Sequence, residues 1–174
     1  MKNSQHASNS SFEITRVFKA SSPRVWTAWS DPDQFGKWWG PKGCSIEISQ
    51  HDFREGGFFH YGMKFEAAST MWGRFAYREI VLNKRIVWLN SFSNEKCGMA
   101  RAPFSDLCPL EIENVVTFTE HAGTTTVTLR AKPFGASEEE QVYFGELCSS
   151  GSLEQGYGGT FDQLADHLRP QELQ

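Results

Sequence analysis

The sequence predicts an α+β protein, an antiparallel sheet with its helices gathered toward the two ends of the chain. Three observations predict it. Six strand-like segments follow one another between residues 44 and 131 with no helical pattern among them. Two short helix-like segments come earlier, directly after a first strand. A final stretch carries Leu153, Tyr157, Phe161, Leu164 and Leu168 at the spacing of one helix face. Neither βαβ alternation nor an internal repeat is visible, which argues against a parallel sheet or a solenoid.

Residues 12–20, FEITRVFKA, mix alternation with β-branched side chains and predict the first strand. Ser22-Pro23 opens a helix in which Val25, Trp26 and Trp29 share a face. Pro32 ends it, because the residue before a proline is pushed out of helical geometry. Asp31 then caps a second short helix with Phe35, Trp38 and Trp39 on its apolar side. Gly40-Pro41 and Gly43 break the chain.

Cys44, Ile46 and Ile48 alternate in the next strand. After the turn signal Gly56-Gly57, Phe59, Tyr61, Met63 and Phe65 alternate against Phe58, His60, Gly62 and Lys64. Such a period of two means one buried face and one wetter face, with His60 pointing outward. Residues 71–82 and the strand holding Ile86, Trp88, Asn90 and Phe92 read as a hairpin about Asn83-Lys84. In the first of these, either Trp72 or Phe75 can face the core. Residues 93–109 are the one long irregular stretch, a length associated with function or mobility. Residues 110–120 and 124–131 form two more strands about His121-Ala122-Gly123. Ser137 followed by three glutamates opens a helix to about Cys148, and a last helix spans about 152–168.

Composition narrows the function. The net charge is −4, and lysines and arginines are scattered. A nucleic-acid surface needs a basic stripe, as does docking on anionic lipid, so neither partner is expected. No apolar run approaches the ~18 residues of a membrane span. Residues 1–11 are polar, without the apolar core of a signal peptide, and read as a disordered leader to a cytoplasmic protein. Residues 12–168 are expected to form one domain and 169–174 a tail. The four cysteines show no metal-ligand spacing and are expected to be free thiols, with no metal or other cofactor.

The strings VWTAWSDPDQFGKWWGP, DFREGGFFHYGM, GRFAYREI and QGYGGTFDQLADHL together resemble the SRPBCC (START/Bet v 1-like) superfamily. Within it they are most similar to the branch of the heat-shock-protein-90 ATPase activator homologues. The resemblance covers roughly residues 12–168. It implies a helix-grip fold, in which a curved seven-stranded antiparallel sheet wraps around a long C-terminal helix and two short helices follow strand 1. It supplies no shared catalytic residues to carry over.

A curved sheet crossed by a helix leaves a gap between them. Aromatic residues make up 14% of the chain, enough both to fill a core and to line a cavity. The candidate ligand-binding residues are Trp38 and Trp39, then Phe59, Tyr61 and Met63, then Trp72 and Phe75. Trp88, Asn90 and Phe92 follow from the fifth strand, and Tyr157 and Phe161 from the last helix. Asn90 is the most informative, because an amide beside buried rings needs a partner, at a cost of about 1–3 kcal/mol if it has none. With a tyrosine hydroxyl, it would orient a ligand's polar end. Gly156, Gly158 and Gly159 inside the last helix suggest close approach of a ligand or backbone, or a fray at the helix start.

The expected function is therefore binding of a small apolar or amphipathic molecule. Two alternatives stand beside it. One is a cyclase- or hydratase-type enzyme using the same gap, for which Glu55, Glu79 and Glu113 are the carboxylates at hand. Surface ion pairs are the plainer role for those three. The other is a protein-interaction module, homodimeric or co-chaperone-like, with Met99, Phe104 and Leu107 of the 93–109 loop as an interface arm.

Overall fold

The computed structural model describes residues 10–170. Residues 1–9 and 171–174, most of the expected leader and tail, lie outside the described residues. The chain runs β1 (Phe12–Phe18), α1 (Ser22–Ser30), α2 (Pro32–Trp38), β2 (Ser45–His51), β3 (Phe58–Lys64) and β4 (Met71–Val81). It continues through β5 (Arg85–Ser93), β6 (Met99–Ala100), β7 (Glu111–His121), β8 (Thr124–Phe134), α3 (Glu138–Ser149) and α4 (Ser152–His167). The strands form one curved antiparallel sheet in the order β1-β8-β7-β5-β4-β3-β2. The α+β helix-grip architecture expected from the sequence is the one observed.

The sheet has eight strands rather than seven. The eighth is β6, two residues long, which pairs with β5 through Phe92–Ala100 and Ser93–Met99. It extends the pairing of β5 beyond Asn90, where the β7 ladder stops. The turn before it is held by the Asn94 side chain, whose Oδ1 accepts from the backbone N–H of Lys96 and Gly98 at 2.9 Å each. A two-residue strand is too short to show alternation, so the stretch 93–109 reads as wholly irregular in sequence.

Local chemistry sets most element ends. Asp31 Oδ1 accepts from Asp33 N at 2.9 Å and caps α2, and Ser137 with Glu140 forms a complete capping box on α3. Helix α1 is capped from elsewhere: Ser21 makes no side-chain cap, and the Glu120 carboxylate of β7 accepts from Ser22 N at 2.6 Å. The β7–β8 turn places Ala122 and Gly123 at φ 50° and 78°, as a two-residue hairpin connection requires. The β2–β3 and β4–β5 ladders each slip by one residue, at Ile48/Gln50 and Tyr77/Glu79. Bulges of this kind increase twist and bend a sheet.

The concave face carries the core. Trp29 of α1 sits at its centre, with ring centroids 4.9 Å from Trp38, 5.8 Å from Phe118, 5.9 Å from Trp88 and 6.4 Å from Phe161. One side chain thus joins both short helices, the sheet and α4. Phe161, Leu164 and Leu168 of the α4 stripe are buried, whereas Leu153 and Tyr157, at its N-terminal end, are half-buried. The helix fills the groove at one end and stands off from it at the other.

The register settles the parity of β4. Gly73, Phe75 and Tyr77 face the core, and Trp72 lies on the opposite face. There it stacks on His60, with centroids 4.9 Å apart. His60 does point away from the core, as alternation requires, yet it is 2% exposed rather than wet. The β5–β6 hairpin folds back over it, and the His60 Nε2–Asn94 O distance is 3.0 Å. A strand period reports the face a residue occupies and is blind to a loop that covers that face.

Candidate functional site

Where α4 stands off from the sheet there is a cavity of about 300 Å³. Tyr61 and Met63 of β3, Gly73 of β4, and Asn90, Ser91 and Phe92 of β5 supply the sheet side. Trp39, Gly40 and Pro41, just after α2, form a second wall. Ser152, Leu153, Gly156, Tyr157 and Thr160 of α4 form the roof.

Six of the residues proposed from sequence meet at this cavity: Trp39, Tyr61, Met63, Asn90, Phe92 and Tyr157. Five others pack in the core beside it. Phe59, Phe75, Trp88, Trp38 and Phe161 are each at most 1% exposed, and Trp38 Nε1 donates to Ala28 O at 2.9 Å. Phe59 and Phe75 share strand faces with cavity residues, but α2 covers their end of the groove, with Phe35 against both rings. Trp72 is on the other side of the sheet. Gly40, Pro41, Gly73, Ser91, Ser152, Leu153 and Thr160 line the cavity without having been singled out. The glycines and serines among them leave space, and an apolar pattern does not register space.

Two contacts give the site its shape. The first is Tyr61 over Gly73: a Cβ built at Gly73 would lie 2.7 Å from the Tyr61 hydroxyl and 2.8 Å from Cζ. The glycine lets the phenol cross the neighbouring strand. The second is a latch on α4. Gln163 Nε2 donates to Gly40 O at 2.8 Å, and Thr160 Oγ1 lies 3.0 Å from the same carbonyl. Outside it, Asp162 pairs with Arg16 at 2.7 Å and Lys42 at 3.3 Å. Gly158 and Gly159 lie beneath those cations, with built Cβ atoms near Arg16 and Lys42, while Gly156 looks into open space.

The polar atoms divide into paired and unpaired. Tyr157 donates to Asn114 Oδ1 at 3.1 Å and stacks on Phe12 with centroids 5.2 Å apart. Asn114 Nδ2 in turn donates to Ile112 O at 3.2 Å. Burial holds the Tyr157 phenol well above its ordinary range, and pushes that of Tyr61 up to about 12, against the lowering effect of the neighbouring Trp39. Asn90 Oδ1 is buried with no hydrogen-bond partner. No carboxylate, amine, guanidinium, imidazole or thiol belongs to the lining. Glu55 accepts from Ile80 N, Glu79 pairs with Arg85, and Glu113 with Lys132, all away from it. The four cysteines are free, and among the described residues no group of His, Cys, Asp and Glu could hold a metal ion. No helix of the described residues is long and apolar enough to cross a membrane.

A curved sheet gripping a C-terminal helix over a partly open groove defines an SRPBCC-type protein, a fold that commonly binds hydrophobic ligands. Within that class, the chain belongs to the family described as Activator of Hsp90 ATPase homolog 1-like protein, which matches residues 19–169. No functionally curated protein matches the chain. Among solved structures, protein Ms6760 from Mycobacterium smegmatis is 25% identical with a TM-score of 0.73, covering 99% of each chain. A protein from Arthrobacter aurescens is 25% identical with a TM-score of 0.76, over 95% of this chain and 89% of its own. A Staphylococcus epidermidis protein shares the fold at 20% identity and a TM-score of 0.74, over 97% and 98%.

Proposed function

We propose that the protein binds a small apolar or amphipathic molecule in the cavity between β3–β5 and the N-terminal half of α4. The observation that carries this reading is a buried, unpaired acceptor, Asn90 Oδ1, beside about 300 Å³ of unfilled space. An acceptor desolvated without a partner costs about 1–3 kcal/mol. A ligand that pairs with it recovers that cost, while Trp39, Met63, Phe92 and Leu153 offer it apolar surface. The location in a helix-grip groove agrees with what this fold commonly does.

The lining supports binding over acid–base chemistry. Its titratable groups are the phenols of Tyr61 and Tyr157, both shifted upward, so both stay protonated near neutral pH and neither is available as a general base.

The test is mass spectrometry of molecules extracted from the purified protein, with Gly156→Leu as the blocked control. Gly156 lines the cavity and its Cβ position has no neighbour within 4 Å, so a leucine there is expected to fold and to take up part of the cavity mouth. An apolar compound recovered from the native protein and absent from the variant supports the reading. Equal recovery from both removes it.

Homodimerisation is a second reading, favoured by Met99 of β6 and Phe104 and Leu107 of the loop after it being 46%, 62% and 46% exposed. Light scattering after size exclusion gives a dimer mass if it holds and a monomer mass if it does not.

A further inference from the structure

We infer that the molecule selected by this cavity is an uncharged apolar alcohol or phenol, held by a single hydroxyl between Tyr61 and Asn90. The inference rests on the ligand-binding reading above and adds the chemistry of the ligand's polar end.

The unpaired groups of the cavity make this choice. Asn90 Oδ1 is an acceptor without a donor. The Trp39 side chain lies beside the Tyr61 oxygen, and among the described residues nothing accepts the Tyr61 O–H. Of the other hydroxyls, Ser91 stands on the strand face opposite Asn90, paired with Arg74, and the rest are committed. Tyr157 donates to Asn114, Thr160 faces the Gly40 and Gly156 carbonyls, and Ser152 lies 2.9 Å from Ser150 Oγ. The Tyr61 O–H and Asn90 Oδ1 therefore give the site a free donor facing a buried acceptor that lacks one. Of the common uncharged groups, a hydroxyl is the smallest that accepts one bond and donates another.

The sheet register brings the two together. Tyr61 pairs with Gly73, and Asn90 pairs with Phe75, two residues along the same strand. Because the Tyr61 ring crosses Gly73, its hydroxyl stands one strand nearer β5 than its backbone does. Diagonal positions on adjacent strands have Cβ atoms roughly 7–8 Å apart, and the Asn90 side chain shortens that gap. A bridging hydroxyl spans two hydrogen bonds of about 2.8 Å each. The absence of a cation from the lining disfavours a carboxylate, since a buried charge without a counter-charge is strongly penalised.

The experiment is an NMR titration of the full isotope-labelled chain with matched probes: thymol, thymol methyl ether, the parent hydrocarbon p-cymene, and the carboxylate cuminate. The amides of Gly73, Asn90 and Gly156 report on the cavity. Thymol is expected to bind about tenfold more tightly than the ether, which can accept but cannot donate. Cuminate is expected to bind more weakly than thymol. In Asn90→Leu the preference for thymol over the ether disappears. In Tyr61→Phe, thymol and the ether weaken together while p-cymene is unchanged. An ether or hydrocarbon that binds native protein as tightly as thymol overturns the hydroxyl assignment and leaves the cavity reading standing. So does cuminate binding more tightly than thymol. If no probe shifts the three amides, both fall.

Discussion

The Tyr61 hydroxyl lies over the backbone of Gly73, so close that a Cβ at that position would stand 2.7 Å from the oxygen. The phenol cannot easily step aside. Its ring stacks on Phe59 at 4.7 Å and meets Phe75 edge-on at 5.7 Å. Gly73→Ala should therefore destabilise the protein by about 1–3 kcal/mol, the usual cost of overpacking. Denaturant unfolding measures it. In a Tyr61→Leu background the same change should cost much less, and a double-mutant cycle with no coupling would refute the contact.

Asn90→Leu replaces an orphaned acceptor with an apolar side chain of similar size. The ligand-free variant should be more stable than the native protein by about 1 kcal/mol, because the desolvated oxygen is gone. A lower melting temperature for the variant would show that the amide is already satisfied in the native protein.

Gly156 lies within α4 at an ordinary helical position with open space beside it. Gly156→Ala should raise stability by about 0.5–1 kcal/mol, since glycine in a helix interior costs about that much. Gly156→Leu should retain this gain and abolish uptake of an apolar dye such as Nile red. Undiminished dye uptake by a folded Gly156→Leu protein would place the dye elsewhere.

His51 sits among Phe35, Phe53, Phe59 and Tyr77, its Nε2 buried without a partner. Burial lowers its pKa from the ordinary 6.5, with Asp31 and Asp52 pulling the other way. His167 is lowered too, by burial and then by Lys37 and Arg24. The folded state favours both imidazoles neutral, so below pH 6.5 the unfolded chain binds more protons. Stability should be full above that pH and decline as the pH falls beneath it. Urea midpoints between about pH 7 and pH 5 check the sign, and His51→Leu should make the slope shallower. A midpoint that rises on acidification would contradict it.

Much of this molecule was legible in the order of its residues. Alternation in β3 and β5, the Asp31 and Ser137 caps, and the α4 stripe from Leu153 to Leu168 each report a local requirement of backbone geometry. Their sequence of appearance is enough for an α+β arrangement of one antiparallel sheet with helices at the chain ends, and the family resemblance implied the helix grip. The relevance of Asn90 was also visible, because an amide on a strand face between Trp88 and Phe92 conflicts with its neighbours. What escaped was whatever depends on a second segment. Glu120, ninety-eight residues away in sequence, caps α1 where Ser21 makes no side-chain cap. The Asn94 hairpin buries His60, and α2 seals Phe59 and Phe75 into the core while leaving Tyr61 at the cavity.

The sequence by itself determined the main strands and helices and, outside β4, which face each presents, since both follow from periods of two and 3.6. Tertiary structure alone decided where packing stops. Of the twelve candidates, eleven lie on the core side and Trp72 on the other face of the sheet; six of the eleven meet at the cavity and five do not. The difference arises because α4 closes against Trp29 and Phe18 at one end and diverges from the sheet at the other. A void is set by the distance between two surfaces, and the sequence of either surface carries no record of that distance.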